Sequence, residues 1–387
     1  GTTGEIISVQ TGDIIGIRTE QAFYNQSGRL SEWTQGENPL RVKVPYAGNT
    51  TAKPYFGSFE IDAAHSHQYP HIGSLLFQSP EFAMLGVSFS DQARLYRNVI
   101  LGDPWEPYGF ASRDAAWKFG HAVYLWKTAS TNSTRLYSKA EVLDWIVFDF
   151  ETFYDMYYAS DPGFLNPPTD LRTDGSFDPY KACYAAAARF GPCAYSGDYG
   201  MNQPDFQIGY WLSALHLGHR FGFLDALRAA SDKVEAVVNW LLAMHKKRIV
   251  GRINDGSLLN GMDGQEYLVP LWRPEQIIAA GYNVANLPQT YGQVVSSLPA
   301  NAAPTWDTWN NGGTVSSRDG QAMDQLLAGP ALLKDMGMTG TDLDQAFNTA
   351  ETRFQSKLAS ESAKGAATAG SGWFIYHQIT NNRPYKP

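Results

Sequence analysis

The spacing of apolar residues changes near residue 60 and divides the chain into two parts. Before this point, short alternating or β-branched runs are separated by Gly, Asn and Pro, which indicates strands joined by polar turns. From about residue 80, apolar residues recur at every third or fourth position, which predicts amphipathic helices. The predicted strands are 5–10, 13–19, 41–46 and 55–61; the predicted helices are 113–129, 139–159, 203–222, 224–249, 322–336 and 342–358, with another starting at 79–81.

Long segments rich in Gly, Pro and Asn separate these helices, namely 102–112, 160–178, 191–204, 251–274 and 284–320. Connections of this length are uncommon in compact domains unless they build a site or are mobile. Successive helical hairpins bury one face and gather their loops at one end. The pattern therefore predicts a mainly α protein folded as an α/α toroid, an incomplete or closed barrel of helical hairpins. Residues 1–60 are predicted to form a small β-rich segment packed on it, and residues 61–387 the toroid domain.

Composition narrows the classes of function. Of the 387 residues, 43% are hydrophobic and 18% are charged, which is enough apolar material for a large core. The net charge of −8 disfavours a nucleic-acid-binding protein, and no apolar run is long enough to predict a membrane span. The 11 Trp and 21 Tyr residues suit both a core and clefts that stack on sugar rings.

The cysteines and glycosylation sequons bear on the compartment. Cys183 and Cys193 are the only cysteines and lie ten positions apart. A disulfide closing this short loop would fit an oxidising compartment, and two buried free thiols are the alternative. Sequons at Asn25, Asn49 and Asn132 are compatible with secretion. We therefore expect a secreted or periplasmic protein.

The densest group of reactive side chains is Glu60-Ile-Asp-Ala-Ala-His-Ser-His-Gln-Tyr-Pro-His71, which comes just before an apolar run. Three of the eight histidines lie in this stretch, together with two carboxylates, an amide and a phenol. Imidazole titrates near neutral pH, so the cluster suits proton transfer or metal binding. A polar loop whose imidazoles bond to backbone groups is the alternative.

A second polar segment, Trp105-Glu-Pro-Tyr108, comes shortly before Arg113. An arginine at the start of an apolar helix opposes the helix dipole unless a carboxylate or an anionic ligand faces it. Arg113 is therefore a candidate for binding an anion, and an ion pair with Asp114 or Glu106 is the alternative.

The third segment, Ser196–Gln207, follows the cysteine pair and opens a predicted helix. It contributes Tyr199, Asn202 and Asp205 as groups for acid–base work or hydrogen bonding. Asp205 can equally be an ordinary acidic residue of a first helical turn.

Other kinds of chemistry lack their sequence signatures. His65-Ser-His67 is similar to the His-x-His pair of cupin-type metal sites, but the glutamate and the distal histidine of such sites are missing. The sequence contains neither a Gly-x-Ser-x-Gly elbow nor a glycine-rich phosphate loop. We therefore predict no metal ion and no other cofactor.

With these kinds of chemistry set aside, the remaining candidate is acid–base catalysis on a polysaccharide. β-Elimination from a uronic-acid polymer requires a group that neutralises the carboxylate, a base for the C5 proton and an acid for the leaving oxygen. Arg, His or Asn suits the first task, and Tyr or His suits the other two. Hydrolysis instead requires two carboxylates, for which the sequence offers Glu60, Asp62, Asp198, Asp205 and Glu266.

The succession of helices and long loops over residues 80–358 resembles, at the level of architecture, the α/α-toroid polysaccharide lyases and glycoside hydrolases. Ala-His-Ser-His-Gln-Tyr at 64–69 is similar to the Asn-Asn-His-Ser-Tyr-like segment of some alginate lyases, although the paired asparagines are absent. The resemblance implies roles for His67 and Tyr69 in lyase chemistry.

The sequence thus predicts a polysaccharide lyase that cleaves a uronic-acid-containing polysaccharide by metal-independent β-elimination. The predicted catalytic residues are His65, His67, Tyr69, Arg113, Tyr199 and Asn202, and the predicted substrate-binding residues are Gln68, Trp105, Tyr108, Asp205 and Trp272. An α/α-toroid glycoside hydrolase and a non-catalytic glycan-binding module are the alternatives. The expected partner is a polysaccharide or oligosaccharide, and neither nucleic acid nor a membrane is expected.

Overall fold

The computed structural model is mainly helical, as the apolar spacing predicts. It describes residues 68–78, 82–87, 90, 113–129, 137–155, 179–196, 200–255, 269–297 and 320–363, together with four two-residue strands between residues 6 and 56. The helices are α1 (Tyr69–Phe77), α2 (Arg113–Thr128), α3 (Lys139–Phe153), α4 (Pro179–Phe190), α5 (Asp205–Arg220), α6 (Phe223–Ala230), α7 (Asp232–Asn254), α8 (Pro274–Ala279), α9 (Tyr291–Ser297), α10 (Gly320–Asp335) and α11 (Thr341–Ala363). Among the described helices, none is both long and apolar enough to cross a bilayer.

Short strands pair in the N-terminal part. β1 (Ile6–Ile7) pairs antiparallel with β2 (Ile14–Ile15), and β3 (Lys43–Val44) pairs antiparallel with β4 (Tyr55–Phe56). Each of these strands falls within one of the four predicted strands. How the rest of residues 1–60 packs lies outside the described residues, so the predicted N-terminal segment stays a prediction.

A three-stranded antiparallel sheet occupies segments that the sequence predicts to be loops. β5 (Ala194–Ser196) pairs with β6 (Gly200–Gln203), and β6 pairs with β7 (Val269–Trp272). In this register Asn202 lies opposite both Ala194 and Pro270. The strands are short, and β7 comes from a distant part of the chain, so their stability depends on packing that no local pattern reveals. The helix predicted to start at Gln203 accordingly starts at Asp205.

The predicted helix 224–249 is instead two helices, α6 and α7, which meet at Ser231. Ser231 has an extended backbone (φ −163°, ψ 157°), and its hydroxyl accepts a hydrogen bond from the Val234 backbone N–H at 3.4 Å. Serine caps helix N-termini in this way and so starts a new helix. The apolar spacing continues across the break, which is why periodicity alone predicts one helix.

Helix α3 begins with a capping box. The Glu141 backbone N–H donates to Ser138 Oγ at 3.3 Å, and the Ser138 backbone N–H donates to Glu141 Oε2 at 2.8 Å. Two backbone donors that the helix itself leaves without partners are thereby satisfied.

Replacing Ser138 with alanine is expected to lower the free energy of unfolding by about 1 kcal/mol, because the Glu141 N–H loses its acceptor. Urea denaturation measures the difference. Ser213→Ala is the matched control, since the Ser213 hydroxyl donates to the Gly209 carbonyl oxygen within its own helix and caps no helix start. We expect this control to change stability by less than about 0.5 kcal/mol. Equal losses in the two variants would contradict a stabilising role for the box.

The long helices pack in two rows. In the first row, α2 packs on α5 and α5 packs on α10. In the second row, α3 and α11 both pack on α7. Two pairs of consecutive helices, α2 with α3 and α10 with α11, also pack on each other and form helical hairpins.

Helices α2 and α5 run parallel. Near their starts, the ring of Trp117 lies 5.3 Å from that of Tyr210; near their ends, the ring of Tyr124 lies 5.8 Å from that of Phe221. Contacting positions therefore advance together along the two helices. Both helices begin at the same end of the pair.

Cys183 and Cys193 are buried and form no disulfide with each other. The Cys193 thiol instead donates to the Cys183 carbonyl oxygen at 3.5 Å. The sequence left open a disulfide or two buried free thiols, and the structure shows two buried free thiols.

Candidate functional site

The three polar segments predicted to carry chemistry lead into helices that contact one another. Gln68, near the end of the 60–71 stretch, precedes α1, and its Nε2 donates to the Trp117 carbonyl oxygen at 3.3 Å. Trp117 lies one turn after Arg113, the first residue of α2, and its ring contacts Tyr210 on α5. We call Gln68, Trp117 and Tyr210 the helix-start cluster.

The backbone at this end of the molecule favours an anion. Because α2 and α5 are parallel, their first residues, Arg113 and Asp205, lie at the same end of the helix pair. A helix N-terminus carries a partial positive charge, which attracts carboxylates. Two such termini side by side therefore suit an anionic ligand better than one.

Gln68 lies directly on the surface of α2. A Cβ atom at Gly120 would overlap the Gln68 amide nitrogen, so the side chain occupies the space that glycine leaves open. Glycine inside a helix costs about 1 kcal/mol relative to alanine. At Gly120 this close approach of the amide explains its presence.

The predicted site residues are described to different extents. Tyr69, Arg113 and Asp205 are the first residues of α1, α2 and α5, and their side chains are outside the described part of the chain. The residues wholly outside it are His65, His67, Trp105, Tyr108 and Tyr199, so their roles stay predictions.

Asn202 lies in the middle strand of the sheet and is only 4% exposed. Its Nδ2 donates to the Gly200 carbonyl oxygen at 3.4 Å. Asn202 is three residues before Asp205, so it lies at the end of the molecule where α2 and α5 begin. Its predicted role beside Tyr199 stays a prediction.

Trp272, predicted to line a sugar subsite, lies in the core instead. Its side chain is 0% exposed, its ring packs edge-on against Phe190, and its Nε1 donates to the Pro288 carbonyl oxygen at 2.9 Å. A buried indole has no face for a sugar to stack on. Trp272 supports β7 in this structure and is not part of the site proposed below.

Sequence reasoning missed a pair of buried histidines where α1 packs on the middle of α2. His71 Nε2, on α1, lies 3.1 Å from His121 Nδ1, on α2, and 3.0 Å from Ser90 Oγ. The His71 ring also stacks on Tyr124, with 5.7 Å between ring centroids. Burial, together with the charge that His121 would carry, lowers the pKa of His71 to about 3. The His71 imidazole is therefore neutral at physiological pH, and its contact with His121 fastens α1 to α2.

One pattern in the sequence could have indicated the contact between His71 and His121. Trp117, His121 and Tyr124 have the spacing i, i+4, i+7, which places them on one face of α2. The apolar stripe of Ala116, Phe119 and Val123 lies beside them and dominates the pattern, so the second face is easily overlooked. Together with His71 in the 60–71 stretch, this face indicates where α1 packs.

A second buried network supports the strand that carries Asn202. Gln203 Nε2 donates to the Phe190 carbonyl oxygen at 2.7 Å, and Gln203 Oε1 accepts from the Tyr291 hydroxyl at 2.5 Å. Burial raises the pKa of Tyr291, against the opposing effect of Arg252 and Arg248. The phenol therefore stays protonated and keeps donating. The network joins the end of α4, β6 and α9, and so fixes the strand before α5.

Within the ranges that the structure describes, no three His, Cys, Asp or Glu side chains gather as metal ligands would. Comparisons with protein-family models, with curated proteins and with solved structures find no match to this chain.

Proposed function

We propose that this chain is a polysaccharide lyase that cleaves a uronic-acid-containing polysaccharide by β-elimination without a metal ion. The observation that supports the proposal is the contact between the helices that follow the three predicted segments. Gln68 bonds to α2, and α2 and α5 begin side by side. The proposal places the side chains just before these helix starts within reach of one sugar unit.

We further propose that the described helices belong to an α/α toroid. The two rows support this architecture, since α2, α5 and α10 form one layer while α3, α7 and α11 form the other. In arrays of helical hairpins, each pair buries its apolar face against its neighbours. The parallel starts of α2 and α5 correspond to the end at which the long loops gather.

In the proposed reaction, Arg113 and either His65 or His67 bind and neutralise the uronate carboxylate, which makes the C5 proton acidic. Tyr199 or Tyr69 takes that proton as the base. The bond between C4 and the leaving oxygen breaks, and a C4–C5 double bond forms. A tyrosine hydroxyl donates a proton to the leaving oxygen, so no water is consumed.

Other residues in this proposal hold the substrate or the acid. Trp105 and Tyr108 supply aromatic surface for the sugar rings. The Asp205 carboxylate accepts a hydrogen bond from a sugar hydroxyl. The Gln68 amide nitrogen bonds to Trp117, so the amide oxygen is the atom for a sugar hydroxyl. Asn202 holds the acid group from β6. Action on an extracellular polymer agrees with the proposed secreted or periplasmic location.

Incubation with a panel of uronic-acid polysaccharides tests the proposal. We expect growth of the ultraviolet absorbance of an unsaturated uronate, with one double bond for each linkage broken. The matched control is the same polymer after reduction of its carboxylates to alcohols, which should give no product because the group that acidifies the C5 proton is gone. New reducing ends without a double bond would instead show a glycoside hydrolase. Binding without any cleavage would show a glycan-binding module.

A further inference from the structure

The contact between His71 and His121 is enclosed by three parts of the chain. α1 carries His71, α2 carries His121, and the helical turn 82–87 closes the space from the third side. A Cβ atom at Gly86 would lie 2.6 Å from His71 Nδ1, so this turn packs directly on the imidazole. Both imidazoles are at most 1% exposed.

The hydrogen bonds indicate which nitrogen atoms carry hydrogen. Ser90 Oγ donates to the Gly86 carbonyl oxygen at 2.9 Å, so towards His71 it is an acceptor. His71 Nε2 must then carry a hydrogen, which it shares between Ser90 Oγ and His121 Nδ1. His121 Nδ1 is an acceptor in this arrangement, and the hydrogen of that ring is on Nε2.

An additional proton disrupts this arrangement. A proton on His121 Nδ1 would face the hydrogen already on His71 Nε2, and one of the two bonds would break. A proton on His71 would place a cation in a buried space, where removal from water disfavours it. Protonating both rings would put two positive charges about 3 Å apart between Nε2 and Nδ1.

We propose that the His71–His121 contact is an acid-sensitive latch that fastens α1, and with it the end of the 60–71 stretch, onto α2. The latch is closed while the two rings share a single hydrogen between them, and acid opens it. This inference concerns the fold and does not depend on the proposed lyase activity.

The groups around His71 contain no carboxylate that would favour its charged form, as far as the described residues show. From α2, His121 and Tyr124 contact it, and Lys118 lies one turn before His121. From the other side, Gly86 and Ser90 contact it. Burial is the larger cause of the low pKa of His71, and the positive charge that His121 would carry when protonated lowers that pKa further.

The direction of the pH effect follows from the pKa. The pKa of His71 is about 3 with the latch closed and has its ordinary value of 6.5 when the latch is open. Only the open form therefore takes up a proton between these limits. The latch keeps its full strength above pH 6.5, and the equilibrium constant for opening rises by up to about tenfold for each pH unit below it.

Native-state hydrogen exchange of the α1 amides between about pH 7 and pH 5 tests the latch. After correction for the intrinsic exchange rate, protection of α1 should fall by up to about tenfold per pH unit below 6.5. Protection of α11 should stay constant and serves as the internal control. Constant protection of α1 over the same range would overturn the proposal.

The double variant His71→Gln/His121→Asn is the matched control. Gln Nε2 and Asn Oδ1 replace the donor and the acceptor without a titrating ring, so α1 should stay protected at every pH. An acid-dependent loss of α1 protection equal to that of the wild type would count against the latch.

A nitrogen NMR titration of the wild-type imidazoles tests the latch without any substitution. Hydrogen on Nε2 of both rings is expected at neutral pH, and titration of His71 near 6.5 with α1 still protected would refute the proposal.

Discussion

Replacing Gly191 with alanine is expected to lower the free energy of unfolding by about 2–5 kcal/mol, the sum of a left-handed backbone and a steric clash. Gly191 follows α4 with φ +86°, a conformation that L side chains rarely adopt. A Cβ atom there would overlap the Met244 carbonyl oxygen and lie 2.9 Å from Arg248 Cβ, both on α7. Helix backbone cannot move aside as a flexible side chain can. The neighbouring Phe190 carbonyl oxygen, which anchors Gln203, would shift with it.

Gly222→Ala provides the matched control for Gly191→Ala. Gly222 follows α5 with φ +79°, and no atom of the described residues lies within 4 Å of the position that its Cβ would take. Gly222→Ala should therefore lower the free energy of unfolding by about 1–2 kcal/mol, because alanine disfavours the left-handed backbone and meets no steric clash. Urea denaturation of both variants separates the two contributions. If the two variants lose the same stability, α4 does not approach α7 as closely as the structure indicates.

Tyr199→Phe and His67→Ala are each expected to lower kcat on a uronic-acid polysaccharide by about 10²–10⁴-fold, the usual contribution of general acid–base catalysis. Phenylalanine keeps the ring but removes the hydroxyl that would exchange protons with the substrate. Alanine at position 67 removes the imidazole that would neutralise the carboxylate. The initial rate of unsaturated product formation measures both effects.

Matched controls for these variants lie away from the helix-start cluster. Tyr154→Phe alters a tyrosine that follows α3, and His219→Gln alters a histidine in the last turn of α5. Both controls should keep kcat within about twofold, which corresponds to less than 1 kcal/mol. Wild-type rates in Tyr199→Phe and His67→Ala, with the fold unchanged, would remove these two residues from the proposed mechanism.

Local periodicity was sufficient to predict most of the long helices. The predicted helix 113–129 matches α2 to within one residue, and the predicted helix 322–336 matches α10 to within two at its start. The break at Ser231 was missed because the apolar spacing keeps its phase across it. The sheet was missed because β6 and β7 pair across a long stretch of chain, so their stability comes from tertiary packing.

The candidate site could be predicted only in part, and for a similar reason. The clustering of histidines drew attention to residues 60–71, and α1, which carries His71, begins within that stretch. The sequence could not show that His71 meets His121, because that contact joins two helices far apart in the chain. The prediction for Trp272 was wrong: it lies in the predicted loop 251–274 and was expected to bind sugar, yet it is buried in the core.

The fit of Gln68 against Gly120 has an evolutionary consequence. A side chain at position 120 would displace the amide, and a different residue at position 68 would leave a gap beside a glycine that weakens its helix. The flexible Gln68 side chain can move aside, but a change at either position alone weakens its contact with α2. Descendants of this sequence would therefore have to alter both positions together, or pass through a poorer intermediate, and this corner of the molecule should change more slowly than its surroundings.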